Sequence, residues 1–423
     1  MSQIEEAHVE RHDPSDLHLQ RVSLRYRVGF LLASMVGGLS SVCLKQLLLP
    51  IQVGQLDPTN TTTTFAVVAS LGAFAGLVAS PLTGALSDRT ASRWGKRRPW
   101  LILGTLVAVV GLVTMAQAHT IPSLLIGEVL AQIGVDTILA TVTALIPDQL
   151  PPGKRAGIAA LNGMAPIVGG VLGLVLVTKL TDTRVIWQGY LALALVSTLF
   201  MLIFLLGLRE SASVRDERSP LRWRAFFAGF IRPLASSDFT YTLLSRCLVF
   251  LSFTILGAYT FFYLEQGLRM SAAQAAQGVA SFQVISTGTL IVVALGAGAL
   301  SDHLHRIKPF IIVGALFMAA GLLLIVIMPT WSAMIGAAVL FGGGFGGVLG
   351  VDIALAVRVL PKASDHGKDL GLMSSAIFLP LIVSPLIGAF ILKTFHSFAL
   401  LFLVAACASA GAAMLVLPIK AVQ

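Results

Sequence analysis

The sequence predicts an all-α integral membrane protein of twelve transmembrane helices, arranged as two related six-helix bundles. Three observations carry that expectation. Hydrophobic residues make up 56% of the chain and charged residues 12%, and the mean hydropathy of +0.87 lies well outside the soluble range. A short basic loop, Gly84 to Pro99, is pinched between two long apolar runs. A partial copy of it, Gly298-Ala299-Leu300-Ser301-Asp302, recurs 214 residues later, again between apolar runs.

A helix needs roughly 20 apolar residues to cross the hydrocarbon. Windows of that length place spans at 28–51, 65–86, 100–118, 122–146, 157–178 and 187–208 in the first half. In the second they fall at 239–263, 273–300, 309–328, 332–359, 371–393 and 397–417. The first span follows a polar tail, 1–27, of mixed charge, which reads as disordered and holds no cleavable signal. The second and third must turn back at one membrane face, because Arg89, Arg93, Lys96, Arg97 and Arg98 cannot lie in lipid. A polar linker, 209–238, separates the sixth span from the seventh, and 418–423 forms a short tail. Strands are excluded: those of a membrane barrel are about ten residues with strict alternation, whereas these runs are about twice as long and apolar throughout.

The net charge of +9 is a topology signal. Of 29 Lys and Arg residues, 23 fall in the N-terminal tail, the even-numbered loops and the C-terminus. Only Lys179, Arg184, Arg269 and Lys393 fall on the other side, while Lys45 and Arg246 lie inside helices. The positive-inside rule then puts both termini in the cytoplasm of a cell (plasma or inner) membrane, and no nucleic-acid partner is needed to explain the charge. Cys43, Cys247 and Cys407 lie in apolar runs with neither ligand spacing nor a disulfide framework. No metal-ligand set, phosphate loop or nucleophile–base pair is visible, so no cofactor and no enzyme activity are expected.

Two further correspondences tie the halves together. Arg98-Pro99-Trp100-Leu101-Ile102-Leu103-Gly104 matches Lys308-Pro309-Phe310-Ile311-Ile312-Val313-Gly314 at an offset of 210, and Gly134-Val135-Asp136 matches Gly350-Val351-Asp352 at 216. Near-constant offsets in one order are what a duplication with small loop insertions leaves. Such parallel repeats place a substrate site near the midplane and work by rocking one half against the other.

The loop resembles the signature between helices 2 and 3 of the major facilitator superfamily. Its extended form, S-D-R-T-x-S-R-W-G-K-R-R-P-W, is similar to the branch of glycoside–pentoside–hexuronide cation symporters and sucrose-transporter-like proteins. Val351 to Leu355, Leu360-Pro361, Lys368 to Gly371 and Tyr263-Leu264-Glu265 extend the resemblance. It implies the superfamily fold, alternating access, a monomer, and import of a small glycoside or related polar metabolite with a cation. It also implies a cytoplasmic gate built from Gly84, Asp88, Arg89, Arg93, Gly95, Lys96, Arg97 and Arg98, with Asp302 as the second-half copy. There Gly84 would let helix 2 approach a neighbour, Asp88 would face the start of helix 11, and the basic cluster would touch anionic lipid. A plain topogenic loop is the simpler alternative.

Intramembrane acids are costly and invite a functional reading. Asp136 lies about 20 Å along its helix at 1.5 Å per residue, near mid-membrane. Glu128, Gln132 and Asp136, at i, i+4 and i+8, form one stripe. As the wall of a wet cavity it could take up and release protons; as a structural feature it would simply bond a neighbouring helix. Asp352 is the symmetry mate of Asp136, and Glu128, nearer the outer edge, could reach solvent. Arg246 would pair with an acid or hold a substrate hydroxyl, whereas Lys45 would snorkel. Sugar hydroxyls would find Gln46, Gln132, Asn162, Gln283, Ser374 and Ser375, with Tyr259 as the aromatic face. Family members that couple to cations carry an Asp where this chain has Ser80, so sodium coupling is disfavoured and a proton is the expected partner. Two other readings stand beside import: a drug or metabolite exporter with an apolar cavity, and a non-transporting sensor on a transporter fold.

Overall fold

A computed structural model describes residues 24–150, 152–180, 185–208, 210, 237–359 and 366–419; within these, side chains at 152–154, 156, 160, 353–354 and 356–375 are not described. Twelve helices are long and apolar enough to cross a membrane. They are α1 (Leu24–Leu56), α2 (Thr61–Ser87), α3 (Arg98–Ala116), α4 (Ile121–Gln149), α5 (Pro152–Leu180) and α6 (Trp187–Gly207). The second half holds α7 (Ser237–Gly267), α8 (Ala272–Leu304), α9 (Lys308–Ile327), α10 (Trp331–Val359), α11 (His366–Phe395) and α12 (Phe398–Val416). Every expected span has its helix.

Several helices overrun the apolar windows, for local reasons. Thr120 with Ser123, and Ser271 with Gln274, form reciprocal capping boxes that start α4 and α8 outside the hydrocarbon. Asp57 caps the turn into α2, accepting from Thr64 Oγ1 at 2.7 Å and Thr59 Oγ1 at 3.0 Å. These bonds hold its carboxyl below the usual range. The first helix of each half widens into one π-helical turn towards the end away from the basic loops, Leu44–Leu48 in α1 and Tyr263–Gly267 in α7.

The internal duplication is visible in the packing. Within the first half the main pairs are α3–α4, α1–α5, α2–α4, α1–α6 and α3–α6; the second half repeats them as α9–α10, α7–α11, α8–α10, α7–α12 and α9–α12. The glycine run in α10 serves close packing. A Cβ on Gly342, Gly346 or Gly350 would stand 2.2, 2.4 or 2.5 Å from the carbonyl oxygens of Ser286, Leu290 and Ala294 on α8.

The halves meet through α2–α11, α5–α8 and α1–α7. Side-chain contacts between them are present at the ends away from the basic loops. There Phe65 of α2 stacks edge-on with Tyr259 and Phe262 of α7, at 6.0 and 5.1 Å between ring centres, and Ser70 Oγ donates to the Ile382 carbonyl at 2.7 Å. At the basic end, nothing among the described residues lies within 4 Å of a Cβ placed on Gly84, Gly157 or Gly296. Among the described residues Gly84 therefore meets no neighbouring helix; the side chains at the start of α11, the expected neighbour, lie outside them.

Candidate functional site

The α4 stripe packs directly onto α2. Glu128 is 0%, Asp136 5% and Gln132 8% exposed, so the stripe is a buried seam and not a wet wall. Gly72 and Gly76 explain why. A Cβ at Gly72 would fall 2.8 Å from Glu128 Oε1, and one at Gly76 would fall 1.9 Å from Asp136 Oδ2. The missing side chains let α2 close over the acids, which keeps Glu128 from the solvent that its position near the helix end suggested. Gln132 Nε2 donates to Asp136 Oδ2 at 2.7 Å. Neither carboxylate oxygen of Glu128 has a hydrogen-bond partner among the described residues. Half-buried Lys45, in the π-helical turn of α1, stands within electrostatic reach of both acids. Tyr190 closes the pocket near Glu128, and its hydroxyl donates to Gln52 Oε1. Two buried carboxyl groups thus lie within electrostatic reach of one ammonium.

The second-half acid is organised differently. Asp352 Oδ2 pairs with Arg246 Nη2 at 2.9 Å, and Arg246 also lies 5.9 Å over the Phe250 ring. Of the two readings of Arg246, pairing with an acid is the one observed. Asn162 is engaged within the first half, accepting from Ser34 Oγ at 2.8 Å and donating to Thr143 Oγ1 at 3.1 Å. Gln283 donates to Thr287 of its own helix at 3.1 Å. Gln46 approaches α7, with its Nε2 3.0 Å from where a Cβ on Gly257 would be. Tyr259 does not offer an open sugar platform. It is fully buried, its ring fills the space left by Gly388, and its hydroxyl donates to the Pro385 carbonyl. Ser374 and Ser375 lie outside the described side chains.

The basic loop is folded around a buried arginine. Arg97 is 3% exposed; its guanidinium reaches Asp88 and Ser87, and its Nε donates to Asp148 Oδ2 at 2.8 Å. Lys96 Nζ joins Asp148 at 3.0 Å. Arg97 therefore does not touch lipid, because acids from α4 and the end of α2 draw it inward. Asp88 is met by Arg97 of its own loop, its side chain 44% exposed. Glu210, just past α6, caps α3: it accepts the Arg98 N–H at 2.8 Å and the Arg97 N–H at 3.2 Å. Gly95 makes room for it with φ of +92°, since a Cβ there would be 2.4 Å from Glu210. Arg98 Nη2 donates to the Leu205 carbonyl at 3.1 Å. Arg93 lies over the Trp94 ring at 5.6 Å, and Arg89 is on the surface. The copy lacks this cluster. Ile307 stands where the first half has Arg97, and Asp302 is exposed.

Burial raises the Glu210 carboxyl above the usual range, partly offset by its two N–H bonds and Arg97. An acid raised in the folded state contributes stability below its unfolded pKa and loses it as pH rises through the folded one. Folding stability is therefore expected to fall as pH rises through that raised pKa, because ionisation puts a charge on a half-buried carboxyl. Thermal unfolding followed against pH should show this fall, and Glu210→Gln should flatten the profile.

The family model of the Major Facilitator Superfamily matches residues 28–307 and 283–422. The chain belongs to that superfamily. It is therefore a multi-pass membrane transporter and not an enzyme. Solved superfamily structures share its fold at low identity. A D-xylose-proton symporter has 16% identity and a TM-score of 0.70, covering 94% of this chain and 96% of that one. A variant of the nucleoside transporter NupG has 12% identity and a TM-score of 0.73, covering 93% and 100%. The xylose transporter XylE from E. coli, in a partially occluded inward open conformation, has 14% identity and a TM-score of 0.69, covering 92% and 96%. Among curated proteins no sequence match was found.

Sequence reasoning misses Asp148 and Glu210. Each is one carboxylate next to a helix end, and only the fold brings them to Arg97 across 51 and 113 positions. Lys45 stands out in the sequence, but its distance from the membrane edge points to snorkelling and not to the acids it meets.

Proposed function

We propose that this superfamily member imports a small glycoside or related polar metabolite together with protons, across the cell membrane, with both termini in the cytoplasm. The units 28–208 and 239–417 would rock about the linker 209–238. The observation that carries the reading is the fully buried Glu128, without a hydrogen-bond partner among the described residues, near Asp136 and Lys45. A carboxyl with no fixed partner is suited to exchange a proton when the seam between α2 and α4 opens. Asp352, balanced by Arg246, is the weaker coupling candidate. Arg97, Asp88 and Asp148 would make the basic loop a rigid gate element that meets the second half when the basic face closes. Sodium has less support, because Ser80 stands in place of the family acid. A monomer suffices for such a cycle. The likeness to transporters of xylose and nucleosides is in keeping with a hydroxylated solute.

Labelled disaccharide uptake into proteoliposomes tests this, with and without a pH gradient. Asp136→Asn should abolish gradient-driven uptake and leave exchange intact. Sugar flux indifferent to the gradient would sink symport. Export of an apolar compound is the second reading, favoured by Asn162, Gln283 and Tyr259, whose polar groups are already engaged within the protein. Binding of lipophilic cations without any glycoside would decide for it.

A further inference from the structure

We propose that the cleft between the two halves on the face away from the basic loops binds a small hydroxylated ammonium compound, whose presence holds that face closed. The cleft has a volume of about 320 Å³, within the range of small-molecule sites. Its walls come from both halves: Gly54, Gln55 and Thr61 from α1 and α2, and Glu265, Gln266 and Ala272 from α7 and α8. Glu265 sits in the π-helical turn of α7, a distortion that often re-aims side chains at sites. It is half-buried, and among the described residues no hydrogen bond or ion pair engages it. Among the described residues no cationic side chain lines the cleft. One carboxylate among carboxamides and a hydroxyl selects a cation that also carries hydroxyl groups, and rejects an anion. Because rocking would separate α1 and α2 from α7 and α8, a ligand touching both walls binds this state and not the alternate one.

The probes are N-methylglucamine, sorbitol and gluconate, which share a six-carbon hydroxylated chain and differ in charge. Binding to the protein in nanodiscs is followed calorimetrically. N-methylglucamine should bind tighter than sorbitol by about tenfold or more, the worth of one charge-assisted hydrogen bond, and gluconate should not bind. Glu265→Gln, nearly isosteric, should bring N-methylglucamine to the sorbitol level. Ala272→Phe should fill the cleft and remove binding of both, with the unliganded melting temperature reporting that it folds. Spin labels at Thr59 and Arg269 in a cysteine-free background should move to the shorter distance when N-methylglucamine is added. Equal affinity for the three probes, a charge preference surviving Glu265→Gln, or no binding at all overturns the site. Binding without the distance change overturns the closing role. None of these outcomes depends on what the transporter carries.

Discussion

Arg97→Ala is expected to destabilise the first half by about 3 kcal/mol, the lower end of the cost of breaking a buried ion pair. The lower end applies because Asp88 is 44% exposed and can rehydrate, whereas Asp148, 21% exposed, keeps only Lys96. The loss has two parts. Asp88, Asp148 and Ser87 lose their common donor, and the loop between α2 and α3 loses the side chain around which it folds. Arg97→Lys retains charge but cannot span three acceptors from one planar fork, so it should fall between wild type and alanine. Asp148→Asn should cost less, since Arg97 keeps Asp88. The double variant should be less destabilised than the sum of the singles, because both remove one interaction. Thermal unfolding in detergent reads all four. A change in Arg97→Ala within about 0.5 kcal/mol, the range of an ordinary surface substitution, would show that the loop is held by its backbone alone.

The contrast between what the sequence predicts and what the fold adds is clear at this loop. Span length, charge asymmetry and the duplicated Gly-Ala-Leu-Ser-Asp are properties of contiguous residues, so the twelve helices and the two halves can be read directly. The partners of Arg97 are not contiguous. A buried and a solvated arginine look the same in a run of cations, and only helix packing distinguishes them. The α4 stripe shows the same limit. Its periodicity puts Glu128, Gln132 and Asp136 on one face, but not which neighbour that face meets. The answer lies in Gly72 and Gly76, two small residues on another helix. Tyr259 is no sugar platform for a like reason: Gly388, far away in sequence, takes its ring.

Gly38→Ala is expected to abolish folded protein, a large effect for a single methyl group. A Cβ at Gly38 would stand 1.6 Å from the carbonyl oxygen of Pro166 and 2.4 Å from its carbonyl carbon. The clash is with backbone, so no side-chain rotation relieves it, and α1 and α5 must part by more than an ångström. The contact is reciprocal along the seam, which limits any local escape. Gly169 rests on the Met35 carbonyl and Gly173 on that of Leu39, with Cβ distances of 2.3 and 2.7 Å. Separation would also break the bond from Ser34 to Asn162. Overpacking a tight core costs about 1–3 kcal/mol and sometimes more, and here the strain falls on a whole helix pair. Gly157→Ala is the control, since nothing among the described residues lies within 4 Å of its Cβ. Relief of glycine's poor helix propensity, up to about 1 kcal/mol, should make it neutral or stabilising. Size-exclusion profiles of the two variants should therefore differ sharply, an aggregate for position 38 and a monodisperse peak for position 157. If Gly38→Ala ran as a monodisperse peak with an unchanged melting temperature, the close approach of α1 to Pro166 would not be what holds the first half together.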